Sequence, residues 1–256
     1  MIELDGLSVT YPGGIQALKS ISLGFDQGQF TVILGASGSG KSTLLRCLNG
    51  LKQVSAGRIT VKSLGNLQEP RVLHQHRKRT GMIFQQHQLI GRQTAIENVL
   101  IGRLAYHSTL RSLLPLPKAD KYIALECLDR VGLLSKALIR IDNLSGGQQQ
   151  RVGIARALAQ QPQLILADEP VASLDPASAH KVLSFLRQIC EEDGISVIVS
   201  LHQVDLARAY ADRIVGLCQG CVVFDGRAVD IGESELDGIY GNSDDTTPNE
   251  LEEVAS

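Results

Sequence analysis

Apolar and polar residues alternate from the start of the chain in IELDGLSVTY, until Pro12-Gly13-Gly14 breaks the run. The same period of two returns in ALKSISLGF and stops at Asp26-Gln27-Gly28. Such alternation between turn formers predicts two half-buried antiparallel strands at a sheet edge. FTVILG (30–35) is a continuous apolar run rich in β-branched residues, the pattern of a strand covered on both faces. A Gly/Ser-rich loop and the helical pattern STLLRCLNGL follow it. LILAD (164–168) and SVIVSL (196–201) repeat the buried-strand signature, each followed by turn residues and a helical stretch. Strands alternating with helices predict an α/β fold with a mostly parallel core.

Residues 88–160 lack strands of that kind. There LRSLLPLPKADKYIALECLDRVGLL has a Pro-bounded break and then apolar spacing near a helical period, so an inserted helical lobe is predicted. GCVVFDGRAVDIG (220–232) reads as a terminal hairpin, and the turn-rich segment 238–256 as frayed. The folded domain is expected to span residues 1–235, with an acidic, disordered tail at 236–256.

Composition narrows this picture only slightly. The 256 residues are 43% hydrophobic and 20% charged, which is globular, and the net charge of −2 gives no overall field for wrapping nucleic acid. Charge is uneven, however: residues 1–227 carry +7 and the last 29 carry −9. No run approaches the roughly 18 apolar residues of a spanning helix, and the N-terminus does not read as a signal peptide. The five cysteines are scattered. Cys218 and Cys221 have metal-knuckle spacing, but no second Cys or His pair follows, so they read as partly buried reduced thiols. Altogether the chain reads as soluble and cytosolic.

Candidate chemistry begins at Gly35-Ala36-Ser37-Gly38-Ser39-Gly40-Lys41-Ser42, a full G-x-x-x-x-G-K-[ST] between a buried strand and a helix. Glycines let successive N–H groups curl inward as an anion nest, and the following helix adds its positive end. Lys41 brings a cation to the β- and γ-phosphates of a nucleotide such as ATP, with Thr43 beside it in the binding set. The Ser42 hydroxyl is a hard oxygen suited to Mg²⁺. A second element is the pair Asp168-Glu169 at the end of LILAD, at the carboxyl edge of the sheet where α/β proteins bind ligands. Asp168 is expected to hold Mg²⁺ through water and Glu169 to deprotonate the attacking water.

Leu144-Ser145-Gly146-Gly147-Gln148, followed by QQRVGIARAL, puts a Ser and two glycines before an amphipathic helix whose N-terminus can face an anion. In this order with the other two motifs, it resembles the signature of the ATP-binding cassette ATPases of ABC transporters, a likeness that covers residues 1–232. The resemblance implies a P-loop NTPase cassette fold with an antiparallel edge subdomain and a helical lobe. Position by position, it implies that Tyr11 stacks on adenine, that Gln85 reaches the metal and the water, and that His202 contacts the γ-phosphate. Asp175, in Ser173-Leu174-Asp175, falls in the loop that crosses between subunits. It further implies a homodimer, or a heterodimer with a similar chain, in which the Ser145–Gln148 segment of one chain completes the phosphate site of the other.

The connecting residues are more particular. DEPVASLDP (168–176), SLHQVDLARAYADRIVGL (200–217), IGRLAYHSTLRSLL (101–114) and FQQHQLIGR (84–92) resemble the phosphonate import ATP-binding proteins. His87, Gln88 and Gly153 depart from that pattern, where an aromatic, an Asn and an Ala are usual. The likeness implies an ATPase peripheral to the cytoplasmic face of the inner membrane, bound to transmembrane permease subunits and served indirectly by a periplasmic substrate-binding protein. Nucleic acid is not an expected partner. A cassette for another cargo, an amino acid or other anion, and a soluble nucleic-acid-linked cassette are the alternatives.

Overall fold

What covers each strand explains the two hydrophobic patterns. The computed structural model describes residues 1–85, 88–108 and 115–241. Its strands are β1 (Ile2–Thr10), β2 (Gln16–Phe25), β3 (Phe30–Leu34), β4 (Ala56–Val61), β5 (Gly65–Asn66), β6 (Thr80–Ile83), β7 (Leu164–Asp168), β8 (Ser196–Leu201), β9 (Arg213–Cys218) and β10 (Cys221–Arg227). Its α-helices are α1 (Lys41–Leu48), α2 (Pro70–Lys78), α3 (Ala95–Leu100), α4 (Lys118–Arg130), α5 (Gly146–Ala159), α6 (Pro176–Asp193), α7 (Val204–Tyr210) and α8 (Glu233–Tyr240).

The alternating strands lie in an antiparallel sheet of order β2-β1-β4-β5. The continuous ones lie in a six-stranded sheet of order β10-β9-β3-β8-β7-β6, parallel except for β10. From one face of this central sheet Ile33, Leu164, Leu166, Ile198 and Val215 pack with Leu44 and Leu48 of α1 and with Ile2, Leu18 and Phe25 of the antiparallel sheet. From the other face Val32, Ile165, Ala167, Val197 and Val199 pack against Val152 and Ile154 of α5 and Leu183 and Leu186 of α6. Both faces are dry, so every residue of β3, β7 and β8 is buried and no alternation survives.

The segment 88–160 is helical. α3, α4 and α5 pack together around Val99, Leu128 and Leu158. Thr94 caps α3 with a reciprocal pair of bonds to Glu97. A buried ion pair ties the lobe to the end of α5. Arg103 Nε donates to Asp120 Oδ1 at 2.8 Å and its Nη1 donates to the Ala159 carbonyl at 2.9 Å, while His107 Nε2 donates to Asp120 Oδ2 at 2.6 Å. Hydrogen bonds from Arg103 and His107 hold the Asp120 carboxyl below its ordinary range, against the opposing effect of burial. Gln86, His87 and residues 109–114 lie outside the described residues.

Two expectations need correction. The hairpin predicted within 220–232 is the strand pair β9 and β10, closed at Gln219-Gly220, and Ala228–Asp230 is a short 3-10 turn. Its first strand, RIVGLC, also pairs in parallel with β3. The disordered tail was expected from residue 236, yet α8 runs through Tyr240, with Ile239 1% exposed. A Cβ on Gly216 would stand 2.5 Å from Ile239 Cδ1, so the missing side chain in β9 makes the seat for this helix. The remainder of the acidic segment, 242–256, lies outside the described residues.

Gly153 sits in the interior of α5, and a Cβ there meets nothing within 4 Å. Gly153→Ala is therefore expected to stabilise the protein by about 0.5–1 kcal/mol, seen as a higher urea midpoint at unchanged slope.

Candidate functional site

The register of the parallel strands decides where the polar residues meet. Leu34 of β3 pairs with Leu201 of β8, Ser200 of β8 with Asp168 of β7, and Ala167 of β7 with Ile83 of β6. Four strands thus end along one edge, and the residues that follow them are the phosphate loop, His202, Glu169 and Gln85. They border an open cleft of about 660 Å³, lined also by Tyr11, Ser37, Gly38, Gly40, Lys41, Ser42 and Thr43.

The loop is compact because it has no room for side chains at its ends. A Cβ on Gly35 would come within 2.4 Å of the Leu217 carbonyl and of Ser39 Oγ. Gly40 has φ 108°, and a Cβ there would lie 2.6 Å from the Ala17 carbonyl. Lys41 bends back under the loop, where its Nζ donates to the carbonyls of Gly35 and Ala36 at 2.8 and 2.9 Å and to His202 Nδ1 at 3.4 Å. Burial pulls the Lys41 ammonium below its ordinary pKa, and the charges of Glu169 and Asp168 offset part of that pull.

An ammonium can only donate, so His202 Nδ1 accepts and the imidazole proton is on Nε2, which donates to Glu169 Oε1. Gln85 Nε2 donates to the other carboxylate oxygen, Oε2, at 3.0 Å. Asp168 has different partners. Its Oδ1 accepts from Ser42 Oγ at 2.8 Å and from Ser200 Oγ at 3.1 Å. The two neighbouring acids separate because Glu169 has φ 48°, a left-handed conformation that turns the chain out of the strand. The Glu169 amide is held there by Ser200 Oγ at 2.9 Å. One buried hydroxyl thus holds the Asp168 carboxylate and the Glu169 backbone.

Tyr11 projects from the end of β1, its hydroxyl 3.2 Å from Thr43 Oγ1 and its ring 4.0 Å from the Lys52 ammonium. Ser145, Gly146, Gly147, Gln148 and Asp175 do not line the cleft. They stand together elsewhere, at two helix N-termini. Ser145 precedes α5, with its amide bonded to Gln148 Oε1 at 3.1 Å, and Asp175 caps α6 by accepting from the Ser178 amide at 3.0 Å. A Cβ on Gly147 would lie 3.6 Å from Ser178 Oγ, which sets the two ends side by side. Hydrogen bonds from Ser178 keep the Asp175 carboxyl below its ordinary range.

The ABC transporter family model matches residues 18–172. The chain belongs to that family. It is 77% identical over 244 residues to the phosphonates import ATP-binding protein PhnC 3 of a Nostoc species, covering 95% of this chain and 93% of that protein. It is also 60% identical to the phosphite import ATP-binding protein PxtA of Stutzerimonas stutzeri, covering 97% and 90%. Among solved structures, it is similar to the dimeric post-hydrolysis state of the ATP-binding cassette MJ0796 bound to ADP and Pi. There the TM-score is 0.79 at 36% identity, covering 89% of this chain and 99% of that one. The cassette fold expected from the motifs is the fold observed.

Two residues escaped the sequence reading. Ser200 is 0% exposed, and its only signal in the sequence was that of a polar residue near the end of an apolar strand. Tyr240 donates its hydroxyl to the His202 carbonyl at 3.0 Å from α8, a segment read as tail. Ser200→Ala leaves the Glu169 amide without its acceptor, at a cost of about 1–3 kcal/mol. It is expected to lower kcat for nucleotide hydrolysis about tenfold or more with little change in KM, measured by steady-state phosphate release.

Proposed function

We propose that this chain is the ATP-hydrolysing subunit of an ABC importer for phosphonates or related phosphorus oxyanions. One observation carries the reading of the chemistry: Lys41, His202, Glu169 and Gln85 form a continuous chain of polar contacts at the mouth of the phosphate loop. The phosphonate and phosphite import relatives support the cargo class.

In this reading the amides of Gly38 to Ser42 and the Lys41 ammonium bind the phosphates of ATP, and Tyr11 stacks on adenine. Among the described residues no group of three His, Cys, Asp or Glu is arranged as a metal centre. The donors suit Mg²⁺ instead: Ser42 Oγ, Asp168 acting through water, and the Gln85 side-chain oxygen, all hard oxygens of the kind that leave room for water and phosphate ligands. When bound, Mg²⁺ supplies positive charge to the phosphate oxygens. Glu169 orients and deprotonates the attacking water, and Gln85 and His202, each bonded to one of its carboxylate oxygens, fix the orientation of the carboxylate for that task. His202 turns toward the γ-phosphate when nucleotide is present.

Ser145–Gln148 and Asp175 act on the cleft of a second copy, so that the nucleotide joins a homodimer. Two helix N-termini exposed away from their own cleft support this assignment. Among the described residues no helix is long and apolar enough to cross a membrane. The chain works at the cytoplasmic face, bound to permease subunits that receive cargo from a periplasmic binding protein.

Glu169→Gln is expected to retain ATP affinity while losing about 10²–10⁴-fold in hydrolysis, and to dimerise with ATP and Mg²⁺ on size-exclusion chromatography. Adding Ser145→Arg should block that dimer. Uptake by the reconstituted transporter, scanned over phosphonates, phosphite, phosphate and amino acids, tests the cargo. Preference for an amino acid would overturn that part.

A further inference from the structure

The β9–β10 hairpin closes through Gln219 and Gly220, at φ 47° and 81°, as a two-residue turn of type I′ requires. Cys218 and Cys221 flank the turn and are direct register partners. Opposed residues on antiparallel strands share a face, with Cα atoms about 4.5–5.5 Å apart, inside the roughly 4.4–6.8 Å window that a disulfide spans. Both are free thiols and half-exposed, whereas Cys47, Cys127 and Cys190 are buried. Burial pushes Cys47 up to about 12 and Cys127 up to about 11, which keeps those thiols protonated and inert.

The turn is fastened to the nucleotide cleft. The Gly220 amide donates to the Ser39 carbonyl at 3.0 Å, and the Gly220 carbonyl accepts from the Lys19 amide at 2.8 Å. Gln219 lines the cleft itself. A Cβ on Gly220 would lie 2.8 Å from the Ala17 carbonyl, so the tip cannot move without disturbing β2 or the phosphate loop.

We propose that Cys218 and Cys221 form a thiol–disulfide redox site on the hairpin that clasps the phosphate loop, and that its oxidation weakens nucleotide binding. The oxidant is a low-molecular-weight disulfide. One cysteine thiolate attacks it, forming a mixed disulfide and releasing one thiolate. The second cysteine attacks the mixed disulfide, forms the Cys218–Cys221 bond and releases the other. Two protein thiols are oxidised, one disulfide is reduced to two thiols, and the two protons pass to the departing sulfurs. A covalent link between the two strand ends changes the twist of the turn that carries the Gly220 amide, and so strains its bond to the Ser39 carbonyl. In a reducing compartment such an exposed pair acts as a switch rather than a staple.

The coupling rests on the nucleotide reading above, while the thiol chemistry does not. The test equilibrates the full chain in glutathione buffers of graded ratio, alkylates it and reads the mass of the tryptic peptide 214–227, which holds both cysteines. Binding of a fluorescent ATP analogue is measured on the same samples. The peptide is expected to lose two hydrogens, and Kd to rise about threefold or more, the size of one lost hydrogen bond. Dithiothreitol restores both, and Cys218→Ser/Cys221→Ser keeps the reduced Kd in every buffer. By linkage a threefold change raises the midpoint potential by about 14 mV when ATP is saturating. A peptide that stays reduced, or carries only glutathione adducts, overturns the site. A disulfide formed at unchanged Kd overturns the coupling. Reduced wild-type protein that binds no nucleotide overturns the coupling together with the nucleotide reading, and the peptide mass then still decides the thiol chemistry.

Discussion

An ammonium taken out of water has to be surrounded by acceptors, and the geometry of the site follows from how this chain answers that demand. Lys41 is 4% exposed. Two loop carbonyls and an imidazole nitrogen take its three N–H bonds, and Glu169 lies 4.0 Å away as the nearest charge. Without those partners, burial would strip the side chain of its proton or force the loop open. The acceptors come from three places in the sequence: the loop itself, the end of β7 and the end of β8. The lysine can remain charged only if the loop and both strand ends are assembled together.

Assembly depends in turn on strand order. β3, β8 and β7 are adjacent and parallel, so their carboxyl ends emerge at one edge. The interior of this sheet is apolar except where a polar group has a task. Ser200 is the clearest case: its hydroxyl donates to Asp168 and accepts from the Glu169 amide. It stabilises the left-handed turn at Glu169, which costs roughly 1–2 kcal/mol in a non-glycine residue. That turn separates consecutive acids into different roles, one toward Ser42 and one toward His202 and Gln85.

The cleft and the Ser145–Asp175 region show two kinds of local order. The cleft residues spend their polar atoms on one another. The two adjacent helix N-termini instead use capping bonds to hold their first turns, with Ser145, Gly146 and Asp175 themselves exposed. Glycine at 147 keeps that surface low beside Ser178. Exposed helix N-termini of this kind favour an anion, and the fold is similar to that of a dimeric cassette.

Where a signal was local, the sequence alone determined the answer. Alternation marked β1 and β2, continuous apolar runs marked β3, β7 and β8, and the loop from Gly35 to Ser42 could be read residue by residue, because each depends on neighbours a few positions away. Asp168 and Glu169 were visible as a pair at a strand end, but nothing local indicated that they diverge, since that depends on Ser200 in another strand. Tertiary structure alone decided α8. Acidic and turn-forming neighbours hid Ile239 and Tyr240, whose partners are Gly216, Phe224 and the His202 carbonyl. The same holds for the hairpin thiols: spacing showed two cysteines three residues apart, whereas register set them face to face beside the phosphate loop. Side-chain partners far apart in the chain leave no periodic trace, because burial and register are properties of the assembled sheet.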